Sequence, residues 1–96
     1  MSLSSSQIKY LRGLVHELKP VIIVGGKGVT EALIAETDNA LEHHELIKVK
    51  ISVGDKGERL QMAEEIANKT QSTLIHTIGR MAAFYRASEA RKITLP

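Results

Sequence analysis

Apolar residues recur along this chain at two spacings, and the switches between them define an order of elements. Ile8, Leu11, Val15 and Leu18 stand at helical spacing behind Ser4-Ser5-Ser6, with Ser6 as the expected cap. Lys19-Pro20 is expected to stop this helix, because the residue before a proline avoids the helical region. Val21-Ile22-Ile23-Val24, fenced by Pro20 and Gly25, predicts a short buried strand. Beyond the loop Gly25-Gly26-Lys27-Gly28, Thr30 is placed to cap a second helix with Leu33, Ile34, Thr37 and Leu41 on its apolar face, ending at His43-His44-Glu45. Leu46 to Val53 alternates, with Ile47, Val49, Ile51 and Val53 predicted to face a core and Lys48, Lys50 and Ser52 to face solvent. Asp55 and Glu58 have the spacing of a capping box, ahead of a third helix expected to bury Leu60, Ala63, Ile66 and Ala67. Residues 73–78 and 80–86 predict two strands reversing at Gly79. The chain from Ala87 is polar and basic, with Ile93 and Leu95 expected to pack back.

The order is α-β-α-β-α-β-β, an α/β (α+β) fold on one domain spanning 1–96, with 1–5 and 88–96 as flanking tails. Strand–helix–strand connections return the chain to the same direction, so the first three strands are predicted parallel and the hairpin reverses the fourth. Running antiparallel to the first strand, the first helix is expected to start at that strand's carboxyl edge. The glycine loop, the starts of the next two helices and the Gly79 turn are expected at the same edge, where open α/β sheets bind ligands. Lys9, Arg12, Lys27, Lys56, Arg59 and Arg80 are then expected around one rim, with Glu36, Asp38, Glu42 and Glu45 trailing toward the opposite end.

Charge sharpens this picture. The net +2 hides a basic–acidic–basic pattern: residues 31–47 hold five acids and no Lys or Arg, while the segments on either side are basic. Such segregation favours a one-sided surface that attracts phosphate backbones. Composition narrows the classes. At 96 residues the chain is far short of a barrel enzyme or a two-lobed dinucleotide-binding enzyme. No apolar run approaches a membrane span of about 18–20 residues. No basic-then-apolar leader is visible, so a secretory signal is not expected. With no cysteine there is no disulfide, zinc-thiolate site or thiol nucleophile, which fits a cytoplasmic protein. Only Tyr10, Phe84 and Tyr85 are aromatic, which argues against an aromatic stacking platform for RNA.

The chemistry is concentrated in the glycine loop. A strand, Gly25-Gly26-Lys27-Gly28 and a helix start allow backbone amides to face an anion, with Lys27 adding charge at the tip. It is not a phosphate-binding Walker loop, since Gly28 follows Lys27 where Ser or Thr belongs, and it lacks the third glycine of a dinucleotide fingerprint. It does match GxxG, the backbone clamp of KH-type RNA-binding modules; its bland reading is a plain βα turn. Lys9, Arg12, His16 and Lys19 form a single-sign stripe on the first helix, whose bland reading is a solvated face. Lys48 and Lys50 read first as solubility residues and Arg86 as a surface cation or phosphate contact; of Phe84 and Tyr85, one is expected in the core and the other exposed. His43-His44 point about 100° apart on a helix and so make no chelating pair. No nucleophile–base–orienter set can be assembled, so neither catalysis nor a metal is expected.

Five stretches together resemble the CRM domain (chloroplast RNA splicing and ribosome maturation). They are Leu11-Arg12-Gly13-Leu14 with His16, Gly25 to Glu31, His43 to Lys50, Thr77-Ile78-Gly79-Arg80, and Phe84-Tyr85-Arg86. The resemblance spans about residues 6–96, and His-His-Glu-Leu-Ile-Lys-Val-Lys is its most specific part. It implies a four-stranded mixed sheet with three helices, similar to the C-terminal domain of translation initiation factor three. It also implies RNA binding at Gly25–Gly28, and association with precursors of the large ribosomal subunit, as in bacterial single-domain members. Phe84 departs from the family's Leu-Tyr-Arg but keeps its apolar role.

The expected function is therefore a non-enzymatic, monomeric RNA-binding protein that assists large-subunit ribosome assembly, with no cofactor, metal, membrane or small-molecule substrate. Gly25, Gly26, Lys27, Gly28 and Thr30 are expected to hold RNA backbone. Lys9, Arg12, Lys56, Arg59 and Arg80 are expected to contact phosphates, extended by Lys48, Lys50 and Arg86. The rival reading is an adaptor that docks on ribosomal proteins without touching RNA; a small phosphate-metabolite enzyme lacks a titratable partner at the rim.

Overall fold

A computed structural model describes residues 3–96; Met1 and Ser2, part of the expected amino-terminal tail, lie outside the described residues. The elements are α1 (Ser5–Val15), β1 (Pro20–Val24), α2 (Glu31–His44), β2 (Leu46–Ile51), α3 (Lys56–Thr70), β3 (Thr73–Ile78) and β4 (Met81–Tyr85). The predicted order holds. Both long strands end earlier than predicted, β2 at Ile51 rather than Val53 and β4 at Tyr85 rather than Arg86.

Local chemistry explains most boundaries. α1 is capped by Ser4, two residues before the expected Ser6, because Gln7 completes a reciprocal box with it. The helix stops at Val15, where turn bonds from Glu17 to Leu14 and Leu18 to Val15 replace helical ones before Pro20 is reached. Thr30 caps α2, its hydroxyl accepting from the Leu33 N–H at 3.0 Å. Asp55 and Glu58 cap α3 reciprocally. β3 and β4 meet in a two-residue turn with Gly79 at φ 56°, a left-handed first position of the kind glycine fills in hairpins.

The sheet order is β1-β2-β4-β3. β1 and β2 are parallel, and β4 is antiparallel to both β2 and β3, so β3 runs with the first two. Inserting β4 between β2 and β3 gives it two paired edges and leaves β1 at the rim of the sheet.

Two cores follow, one on each face. Leu33, Leu41, Ala63 and Ile66 of α2 and α3 pack on Ile22, Val24, Ile47, Val49, Ile51 and Phe84. On the other face Leu11 and Val15 of α1 pack on Leu46, Ile75, Ala83 and Tyr85. Three expectations fail for this reason. Phe84 and Tyr85 are both buried, one in each core. Lys48 and Lys50 are half-buried, since α1 covers part of the face that was predicted to be solvated. β1 is buried on one face only: Ile22 and Val24 enter the first core, but as an edge strand outside α1's footprint it leaves Val21 and Ile23 exposed, the latter at 62%.

The direction of α1 is also different from the antiparallel return predicted. Leu3 and Gln7 sit beside Thr73 and Tyr85, at the amino end of β3, while Val15 and His16 sit beside Lys48 and Met81. The helix crosses the sheet face over β2 and β3 instead of lying along β1, and residues 16–19 lead back to the start of β1.

Candidate nucleic-acid interface

Three loops meet at the carboxyl edge of β1, β2 and β3, and hydrogen bonds join them. The Ser52 N–H donates to Val24 O at 3.0 Å, holding the loop after β2 against the start of the glycine loop. The Ile51 N–H donates to Arg80 O at 2.7 Å, and Arg80 Nη1 donates back to Ser52 O at 2.8 Å, tying in the hairpin turn. Arg59 Nη1 donates to Gly54 O at 2.7 Å from the first turn of α3. These carbonyl partners orient both guanidinium groups without neutralising them, since a carbonyl carries no net charge. Asp55 and Glu58, two of the acids at this edge, accept N–H groups of the α3 start. The amino ends of α2 and α3 point their positive dipole ends the same way.

The glycine loop is a tight turn closed by the Gly28 N–H on Gly25 O at 2.9 Å. Gly28 has φ 69°, which a residue with a Cβ adopts only with strain. Its N–H is thus used inside the turn, and Gly26 and exposed Lys27 form the tip. A Cβ on Gly25 or Gly26 would meet nothing within 4 Å, so the tip stands clear of the rest of the protein. Thr30 holds the loop's exit as a helix cap. Glu36, expected to trail toward the opposite end, instead lines the shallow hollow under the loop together with Ile23 and Leu33. On a helix it lies only about 7.5 Å along from Glu31.

A family model described as the CRS1 / YhbY (CRM) domain matches residues 3–86. The chain belongs to this CRM family. A relative from Haemophilus influenzae named "RNA-binding protein" is 44% identical over 95 residues, covering 99% of this chain and 96% of the relative. One from Pseudomonas aeruginosa, named "Probable RNA-binding protein", is 41% identical over 86 residues, covering 90% of this chain and 83% of the relative. The solution structure of a Staphylococcus aureus protein superimposes with a TM-score of 0.86 at 36% identity, covering 99% of this chain and all of the other.

On this CRM domain the predicted cations divide into three groups. Lys27, Lys56, Arg59 and Arg80 share the carboxyl edge, as expected, and half-buried Lys50 is paired with Ile23 next to it. Lys9 and Arg12 do not join them. α1 begins at the amino end of β3, and Arg12 Nε donates to Ile75 O at 3.3 Å, in the middle of that strand. Lys48 lies between, in a small hollow with His16 and His76. Burial, then the charges of Arg12 and His16, lower the His76 pKa from its ordinary 6.5.

Arg86 is at the wrong end and already paired. Its Nη1 meets Asp38 Oδ1 at 2.6 Å and Thr70 O at 2.8 Å, and its Nη2 meets Asp38 O at 3.1 Å and Glu42 Oε1 at 3.2 Å. It joins β4 to α2 and α3, and its guanidinium is matched by two carboxylates rather than left facing solvent alone. Beside it lies Glu45, fully buried at φ 65°. Its carboxylate accepts from the Ser88 N–H and hydroxyl, the Lys92 N–H and the Ile93 N–H. Burial alone would raise its pKa; the hydrogen bonds from Ser88, Ile93 and Lys92 outweigh that and hold it at about 2, down from 4.5. Residues 88–93, expected in a flanking tail, are thereby held to the domain. No signal within the sequence marks Glu45 as buried, because its partners lie more than 40 residues away. Among the described residues no group of three or more His, Cys, Asp or Glu could hold a metal, and no helix is long and apolar enough to cross a membrane.

Proposed function

We propose that this CRM protein is a non-enzymatic RNA-binding protein that grips RNA backbone along the carboxyl edge of its sheet. We further propose that its target is ribosomal RNA in precursors of the large subunit, where it assists assembly. The observation that carries the reading is the joined edge: Lys27, Lys56, Arg59 and Arg80 stand on loops bonded to one another, and none of the four is paired with a carboxylate. A duplex or folded RNA presents phosphates in a fixed array, which oriented cations match better than mobile ones. The relatives named as RNA-binding proteins support the same class of partner.

The test is the double substitution Lys27→Glu with Lys56→Glu. Both side chains are exposed, so folding should be kept. Affinity for a structured fragment of large-subunit RNA should fall by at least about tenfold at low salt. The slope of log affinity against log salt should shrink by roughly 0.7–0.9 for each lost phosphate contact. Unchanged affinity and slope would sink this reading. Half-exposed Val21 and Ile23 on the edge strand favour the second reading, an adaptor that docks on ribosomal proteins. Nuclease treatment separates the two: an RNA-mediated association with ribosomal particles disappears and a protein-mediated one persists.

A further inference from the structure

Leu60 was expected in the core, yet it is 45% exposed. The reason lies in how α3 sits. Its later turns bury Ala63, Ile66, Ala67 and Thr70, while its first turn overhangs the end of the sheet. Between that overhang and the β3–β4 hairpin is a hollow of about 360 Å³. Its apolar surface comes from Ile51, Leu60, Ala63 and Met81, and Lys56, Arg59 and Arg80 stand around it with no acidic side chain in the lining. The volume is near the lower end of the range for small-molecule pockets, about 300–1,000 Å³.

Arg59 gives the hollow a polar requirement. Its Nη1 is fixed on Gly54 O at 2.7 Å, but its Nε is buried and has no hydrogen-bond partner. A buried N–H without an acceptor is costly, so such atoms mark places where a ligand oxygen or water belongs. An apolar floor, one unmet donor and three uncompensated cations together call for a flat, largely apolar group that carries acceptor oxygens and is joined to an anion.

We propose that this hollow receives one unstacked RNA base, with the adjoining phosphate held by Lys56 and Arg80. The inference rests on the RNA-binding reading of this edge and adds a base contact to what would otherwise be a backbone clamp. A base ring lies on Leu60 and Met81, and a ring carbonyl accepts from Arg59 Nε. Nucleotides with a carbonyl on the inward edge, as in uracil and guanine, satisfy that donor; adenine, which has none, satisfies it less well. The absence of an aromatic platform does not forbid this, because an apolar floor also rewards burial of a base face.

The test has two arms. In the first, methyl NMR spectra of the whole protein are followed during titration with uridine and guanosine 5′-monophosphates, and separately with ribose 5-phosphate. The nucleotides should give saturable shifts at the methyls of Leu60, Ala63 and Met81, while ribose 5-phosphate should move only rim amides. Equal effects from nucleotide and ribose phosphate would overturn the proposal. In the second, Leu60→Ser should weaken binding of the structured RNA fragment about fivefold, in line with the apolar contact removed, without changing the salt slope, since no charge is lost. Leu60→Met, which keeps the floor, should retain binding. If Lys27→Glu with Lys56→Glu weakens RNA binding and Leu60→Ser does not, the base pocket falls and the RNA reading stands. If the wild-type protein binds no RNA, both fall together.

Discussion

Both ends of the sheet carry charged groups and use them in opposite ways. At the amino end, Arg86 meets Asp38 and Glu42, and the Glu45 carboxylate is enclosed by N–H and hydroxyl donors from residues 88–93. Those groups hold α2, β4 and the C-terminal segment together. At the carboxyl end, Arg59 and Arg80 are held by backbone carbonyls alone. Geometry is fixed there as firmly, but the positive charge remains available to an outside partner. A cation's partner, more than its presence, decides whether its charge is used inside the fold or left available outside it.

The sharpest way to break this comparison is at Glu45. Glu45→Gln should destabilise the fold by about 3 kcal/mol in urea denaturation, because an amide cannot accept all of the donors that the carboxylate serves. The pH dependence has a definite sign. The folded pKa of about 2 lies below the ordinary 4.5, so the stabilisation is present above about pH 4.5 and is lost as pH falls toward 2. The loss should be on the order of 3 kcal/mol in wild type and largely absent in Glu45→Gln. A flat wild-type profile between pH 5 and 2 would show that the carboxylate is not the anchor described.

Arg86→Ala should have the next largest effect, about 1–2 kcal/mol on stability, with RNA affinity at neutral pH unchanged within about twofold. Its carboxylate partners are more than half exposed, which keeps the value below that of a buried pair. A large loss of RNA affinity with little loss of stability would return Arg86 to the binding surface. The smallest effect is expected from Lys9→Ala. This exposed lysine lies on the helix that begins at the far end of β3, so RNA affinity should change by less than about twofold and stability by under about 0.5 kcal/mol. An effect equal to that of Lys56→Ala would place α1 in the interface.

Local signals were legible wherever a boundary depends on a few neighbouring residues. Thr30, the Asp55 and Glu58 box and the Gly79 turn act as the sequence predicts, and so does the parallel course of the first three strands. Ser4 caps α1 in place of Ser6 because Gln7 gives Ser4 a reciprocal partner. The candidate site was legible in part, since loops after parallel strands must gather at one edge; that argument placed Lys27, Lys56, Arg59 and Arg80. It misplaced Lys9 and Arg12 because a helix ahead of the first strand is not constrained by a strand–helix–strand crossover and can cross the opposite face.

By itself the amino-acid sequence determined the element order, the strand directions, the glycine turn and the membership of this chain among CRM domains. These depend on backbone preferences and side chains a few positions apart. The tertiary structure alone decided that β4 lies between β2 and β3, that α1 covers the second face, and that Leu60 overhangs a hollow. It also decided which charges find partners inside the domain. Arg86 finds Asp38 across 48 positions of chain and Glu45 finds Ser88 across 43, and no periodicity reports such meetings. They arise only when packing of two apolar cores brings distant segments within hydrogen-bonding reach.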